Sequence, residues 1–227
     1  MIKKLEWDSH FFGYSVGHLV ISQSTQKQLP ALLKDAIGFK LVYVFSDEKI
    51  NPERDDLKLV DIKTRLGKKL NNKNHTVANV HEYTGGEDDQ LKTLALQSGI
   101  YSRFKIDSNF VNNEFEQLYL KWISDSINKT IADKVIVYKE PENNCKGFVT
   151  LKFKENFSEI GLIAVDEGSR GKGIAKALLD YADNCAVEVG LNRIEVVTQF
   201  DNVPAMNLYE NVGYEIMTIK YIYHLWN

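Results

Sequence analysis

Disulfides, metal ligands and a membrane address are all poorly provided for in this chain. Two cysteines among 227 residues, Cys145 and Cys185, make neither a disulfide framework nor a metal-ligand spacing. The histidines (His10, His18, His75, His81 and His224) are scattered in the same way, so no metal is expected. No apolar run approaches the ~20 residues that a spanning helix requires. The opening Met1-Ile-Lys-Lys-Leu-Glu-Trp-Asp lacks the apolar stretch of a signal peptide, which makes a cytoplasmic location the expectation, away from membranes. A net charge of −3 without a basic cluster argues against nucleic acid as a partner. No Ser/His/Asp or Cys/His constellation offers a covalent intermediate.

What the chain does carry is an ordinary globular composition, 44% hydrophobic, enough for one large or two small domains. Strands are expected at 14–21, 40–45, 57–64, 76–83, 134–138 and 145–153, and helices at 25–37, 88–97 and 113–126. The last of these helices carries Phe115, Leu118, Tyr119 and Trp122 on one stripe. Acidic and basic runs such as Lys68-Lys69 and Glu87-Asp88-Asp89 read as solvated faces.

The most informative stretch lies between 159 and 214. An expected strand at 159–165 is apolar on both faces, with Ile160, Leu162 and Ala164 on one and Ile163 and Val165 on the other, as suits an inner strand. It runs into the glycine loop Arg170-Gly171-Lys172-Gly173-Ile174-Ala175, which opens a helix. That helix places Ile174, Ala177, Leu178, Tyr181, Ala182, Cys185 and Val189 on one face, and Gly190 supplies the stop. Bare backbone N–H groups at a helix N-terminus suit a phosphate or pyrophosphate. A nucleotide P-loop is excluded because Gly173, not Ser or Thr, follows Lys172. A dinucleotide fingerprint is excluded because Lys176 stands where a third small residue belongs, and the next strand (193–199) does not end on an acidic residue. Alone, the glycines read equally well as a tight turn. Followed by a strand and then by Asn202, Ala205 and Tyr209, they point to acyl-CoA chemistry.

Arg170-x-x-Gly173-x-Ala175 resembles the acetyl-CoA pyrophosphate loop of the GNAT superfamily of N-acetyltransferases, and Asn202-x-x-Ala205-x-x-x-Tyr209-x-x-x-Gly213-Tyr214 resembles its later motif. A wider, weaker resemblance reaches the bacterial TDP-fucosamine acetyltransferase family. It rests on Leu5-Glu-Trp7-Asp8-Ser-His-Phe11-Phe12-Gly13, Leu59-Val-Asp61-Ile-Lys63, Ser102-Arg103-Phe104 and Thr198-Gln199.

The resemblance implies an α/β protein with a GNAT fold over 96–227 and a smaller α/β N-terminal domain over 1–95 that selects the acceptor. It implies acetyl-CoA as co-substrate, held by Leu162, Ile163, Ala164 and Val165 of the strand, by Arg170, Gly171, Lys172, Gly173, Ile174 and Ala175 of the loop, and by Asn202 and Ala205. Asn202 is equally well placed to cap its helix. Tyr209 is either a core residue or the donor to the departing sulfur. With a tyrosine pKa near 10 against ~8.5 for a thiol, a strong hydrogen bond is the safer role than full proton transfer. The implied acceptor is a nucleotide-linked amino sugar of the TDP-4-amino-4,6-dideoxygalactose type. The alternatives are a GNAT acting on a protein or small-molecule amine, and a non-catalytic acyl-CoA-binding module. Trp7, Phe11 and Phe12 read as core or staple residues. His81 and Glu82 could approach an amine as base, although a surface role suits each better. A homodimer is left open.

Overall fold

The computed structural model describes residues 1–50, 55–71, 76–141 and 144–227. The first part of the chain forms β1 (Lys3–Lys4), α1 (Glu6–Phe12), β2 (Val16–Ile21), a helical crossover over 26–38 that includes α2 (Leu29–Leu32), and β3 (Leu41–Ser46). Then come β4 (Leu57–Lys69), β5 (Val80–Glu82), α3 (Asp89–Ser98), α4 (Arg103–Ile106) and α5 (Glu114–Ile127). The remainder is β6 (Lys134–Lys139), β7 (Cys145–Phe153), β8 (Ser158–Val165), α6 (Ile174–Glu188), β9 (Arg193–Gln199), α7 (Val203–Asn211) and β10 (Glu215–Trp226). His75 lies outside the described residues.

These strands make one mixed sheet in the order β1-β2-β3-β10-β4-β9-β8-β7-β6-β5. Neighbours are antiparallel except β2–β3 and β8–β9. Parallel neighbours need a crossover, and each pair has one: 26–38 for the first, α6 for the second. The sheet runs through both halves of the chain, because β10 is inserted between β3 and β4 and pairs with both. Residue 95 falls inside α3.

Helices cover both faces. On one, α6 packs Leu178, Leu179, Ala182 and Cys185 against Leu66, Ile136, Val149, Ile160 and Val196 of the sheet. On the other, α3 and α5 bring Leu91, Leu94 and Ile123 onto Val135, Val137 and Phe148. A neighbouring aromatic cluster joins Phe104, Phe115 and Tyr119 to Val16, Leu41 and Tyr43, with Phe11 and Phe12 packed against it. Trp7 stacks on Phe11 at 5.1 Å but remains 49% exposed.

Several expectations from sequence are corrected. The helix over 25–37 is broken into 3-10 and α turns, because Pro30 has no N–H to continue a ladder from the preceding turn. The strand over 76–83 shortens to β5, since Asn79 adopts φ 64° immediately before it. β4 runs on to Lys69 because β10 pairs with one of its edges as far as Gly67 and β9 with the other as far as Lys69. Lys68 is therefore no solvated charge: its ammonium pairs with Asp183 at 2.5 Å and lies over the Tyr214 ring. Asp88 caps α3, accepting from the N–H groups of Gln90 and Leu91. Val189 is 50% exposed instead of on the buried stripe of α6, since the helix has already ended at Glu188, and Leu179 and Ala186 complete the stripe.

The most consequential correction concerns β8. Its pairing with β7 shifts between Val149↔Ile163 and Leu151↔Ile160, so the strand carries an extra residue around Gly161. Strict alternation is lost there. Ile160, Ile163 and Val165 pack on the α6 side, while Leu162 and Ala164 pack on the α3–α5 side. Gly161 is needed at this bend, because an added Cβ would lie 2.8 Å from Thr150 Oγ1. That oxygen accepts from Leu162 N–H at 2.8 Å.

Candidate active site

β8 and β9 pair only at Ser158↔Ile194, Glu159↔Glu195 and Ile160↔Val196. Beyond these residues the strands part, and the β9-facing amides and carbonyls of 161–165 lose a partner strand. An open strand edge of that kind accepts an extended, amide-bearing ligand as an extra strand.

Three cavities meet in this wedge. One, of about 290 Å³, is lined by Ile163, Ala164, Val165, Arg170, Ala175, Asn202, Ala205 and Tyr209, with the C-terminal end of α3 opposite. Seven of the twelve residues expected to hold acetyl-CoA, and Tyr209, are thus brought together. A second, of about 310 Å³, holds Asp61, Lys63, Arg103, Phe104, Tyr119, Lys152, Glu159 and Gln199. A throat of about 90 Å³ between them is walled by Gly161, Leu162, Val197, Asn202 and Tyr209. Leu162 lines the throat and the second cavity, not the first.

The glycine loop takes its shape from Gly171 (φ 77°) and Gly173 (φ 79°), left-handed positions with nothing within 4 Å of an added Cβ. α6 has no side-chain N-cap, and among the described residues the N–H groups of 171–176 find no backbone acceptor. The loop therefore offers an open row of donors at a helix N-terminus. Ile174 can contribute only its N–H, because its side chain is buried against the sheet. Lys172 is exposed. Arg170 Nε donates to Val165 O at 3.3 Å, which ties the loop to the end of β8.

Asn202 caps α7, its Oδ1 accepting from Ala205 N–H at 3.3 Å, and it also borders the first cavity and the throat. Tyr209 projects from α7 into the same wedge and is 2% exposed, its ring 5.4 Å from that of Tyr214. Burial pushes its phenol well above the ordinary tyrosine value, so the hydroxyl stays protonated and acts as a donor. His81 and Glu82 are elsewhere, on the edge strand β5, where Glu82 is paired with Lys134 at 2.6 Å. Among the described residues no group of His, Cys, Asp and Glu is arranged to hold a metal.

The family model for acetyltransferases of the GNAT family matches residues 100–214, which is 115 of the 227 residues. The chain belongs to the GNAT acetyltransferase family. The Bacillus subtilis (strain 168) spore coat polysaccharide biosynthesis protein SpsD is 25% identical over 141 residues, 62% of this GNAT chain and 48% of that protein. Escherichia coli streptothricin acetyltransferase is 38% identical over 61 residues, 27% of this chain and 35% of that protein. The chain spans less than half the length of either relative. A crystal structure of a GCN5-related N-acetyltransferase from Sphaerobacter thermophilus superposes with a TM-score of 0.59 at 14% identity, covering 91% of this chain and 72% of that one. The GNAT fold is thereby shown, and GNAT enzymes use acetyl-CoA. The residues present fit that co-substrate: a row of N–H groups without a backbone acceptor among the described residues for the pyrophosphate, then an open strand edge for the amide-bearing arm.

Sequence reasoning missed the chemistry of the second cavity. Asp61 and Lys63 were singled out only as part of a resemblance, and Tyr119, Thr150, Lys152 and Glu159 not as site residues at all. The clue available was the pair of motifs around Asp61 and Arg103, which the fold brings into one wall.

Proposed function

We propose that this GNAT enzyme transfers acetyl from acetyl-CoA to the primary amine of a nucleotide-linked amino-deoxy sugar of the TDP-4-amino-4,6-dideoxygalactose type, for surface polysaccharide. The observation that carries this reading is the pair of cavities joined by a throat at Tyr209. One takes the acetyl donor and the other the acceptor, so the amine attacks the thioester directly. Loop N–H groups from Gly171 to Ala175 hold the pyrophosphate, and the open edge of β8 orients the thioester. Tyr209 donates a hydrogen bond to the sulfur as negative charge develops on it.

The acceptor side favours an anionic substrate. Lys63, Arg103 and Lys152 line its cavity, and Lys63 also borders an adjoining hollow of about 280 Å³ with His18, Arg65 and Lys220. Among these, Arg65 is engaged by Glu195, Lys220 by Asp47 and Lys152 by Asp133. Binding a remote diphosphate would position the amine for attack. Residues 1–95 contribute Asp61 and Lys63 to this cavity and no residue to the acetyl-CoA side. That distribution supports a division of labour in which the N-terminal part selects the acceptor. The likeness to SpsD, a spore coat polysaccharide biosynthesis protein, points the same way, whereas streptothricin acetyltransferase supports a second reading, a free small-molecule amine.

Release of CoA thiol with a panel of amines separates the two. The nucleotide-linked amino sugar should react with a kcat/KM far above that of the free sugar, a polyamine or a lysine peptide. Equal efficiency with any of the latter removes the nucleotide-sugar assignment.

A further inference from the structure

The acceptor cavity contains two carboxylates, and the fold treats them differently. Glu159 is flanked by Arg65 at 3.6 Å and Lys154 at 3.3 Å. Asp61 is 6% exposed, and its Oδ1 is buried without a hydrogen-bond partner among the described residues. Its ion-pair contact, Oδ2 to Arg103 Nη1, is 3.9 Å long, beyond hydrogen-bonding range. Arg103 is itself held over the rings of Tyr43 and Phe104. A buried carboxylate left this way opposes folding, so a ligand for it is the natural explanation. β4 also carries an extra residue at Val60, between the pairs Ile222↔Asp61 and Tyr223↔Leu59. Bulges of this kind re-aim side chains beside sites.

On the acetyl-transfer reading above, we propose that Asp61 is the catalytic residue that binds the acceptor's ammonium group and takes its proton. The ammonium gives one proton to the Asp61 carboxylate and becomes a neutral amine. Its lone pair forms the C–N bond at the thioester carbonyl, and the C–S bond then breaks. The attacking nitrogen gives up a second proton as the amide forms, and the sulfur leaves as thiolate with Tyr209 donating to it. One proton ends on CoA, and Asp61 returns the other to solvent. The groups facing Asp61 are Arg103 on α4, Lys63 on β4, Asp201 beyond β9 and Tyr119 on α5. Burial raises the Asp61 carboxyl to about 6, against the opposing pull of Arg103 and Lys63. A carboxylate at that level is ionised at neutral pH yet basic enough to hold a proton briefly.

Asp61→Asn and Asp61→Glu test this, with acetyl-CoA and three amines: TDP-4-amino-4,6-dideoxygalactose, spermidine and a lysine peptide. For the accepted amine, Asp61→Asn should lower kcat/KM by roughly 10²–10³-fold. It should leave acetyl-CoA affinity, read by calorimetry, unchanged, which also verifies folding. The acidic limb of the wild-type pH profile, near pH 6, should vanish in the Asn variant and return displaced in the Glu variant. Near wild-type kcat/KM with the limb intact in Asp61→Asn overturns the proposal. If the Asn variant does not fold, an undisplaced limb in Asp61→Glu does so instead. Turnover of the peptide or spermidine alone overturns the sugar assignment but leaves Asp61 decided on that amine. Turnover of none overturns both.

Discussion

Replacing Tyr209 with phenylalanine removes one oxygen from a residue that is otherwise wedged into the core. The ring would keep its place against Tyr214 and the α6 face of the sheet, so stability should change little. Truncation to alanine would instead cost about 3–5 kcal/mol as a core cavity and would blur the result. Burial is what raises the pKa of the phenol. It therefore stays a donor, and on the proposed mechanism what Tyr209→Phe removes is a hydrogen bond to charge that exists only as the C–S bond breaks. Single donors aimed at such charge contribute about 1.5–4 kcal/mol, or roughly ten- to a thousand-fold in rate. The loss should fall on kcat, with the KM for acetyl-CoA nearly unchanged, because the ground-state thioester needs no such donor. Continuous detection of CoA thiol under saturating acetyl-CoA measures it. A folded Tyr209→Phe enzyme with near-normal kcat returns Tyr209 to the core and leaves the sulfur without a protein donor.

Two other perturbations test separate parts of the argument. Gly173→Val places a β-branched residue at φ 79° and a side chain in the open space above the loop. It should raise the acetyl-CoA KM strongly and destabilise the fold by about 1–2 kcal/mol or more, and unchanged affinity in calorimetry removes the loop from the mechanism. His224, 1% exposed, hydrogen-bonds through Nδ1 to Asp107 Oδ2 at 2.5 Å. Burial holds its imidazole down to about 4. Burial alone would raise the Asp107 carboxyl, but donation from His224 and Trp226 outweighs it and holds that group below the usual carboxylate range. The folded state thus keeps a neutral histidine where the unfolded chain would take a proton. The stability present above pH ~6.5 should fall as pH drops toward 4, by at most about 1.4 kcal/mol per pH unit. His224→Asn, which retains a donor toward Asp107, should flatten urea-midpoint curves across that window, and an unchanged slope assigns the acid sensitivity elsewhere.

The glycine loop, the helix after it and the Asn202–Tyr209 helix were legible in the sequence because each is specified by its neighbours in the chain. Left-handed glycines, an N-cap and a 3.6-residue apolar stripe are local constraints, and local constraints survive in a string of letters. Even there, alternation put Ile160 on the face of Leu162 and Ala164 instead of that of Ile163 and Val165, since nothing local announces that Thr150 will take the N–H of Leu162 and force a bulge at Gly161. β10 was not read from the sequence although its β-branched and aromatic residues suit a strand; what no local pattern shows is its place in the sheet. A run such as Glu215–Trp226 becomes a central strand only because β3 and β4 present two open edges on either side of it. The acceptor cavity depended most on tertiary contacts. Asp61, Arg103, Tyr119, Glu159 and Gln199 are spread over almost 140 positions, and no spacing rule relates them. Whether Asp61 is a solvated surface charge or a buried, underpartnered base depends on where α4 and β9 come to rest. Burial is a property of the assembled sheet and helices, and no stretch of chain carries it alone.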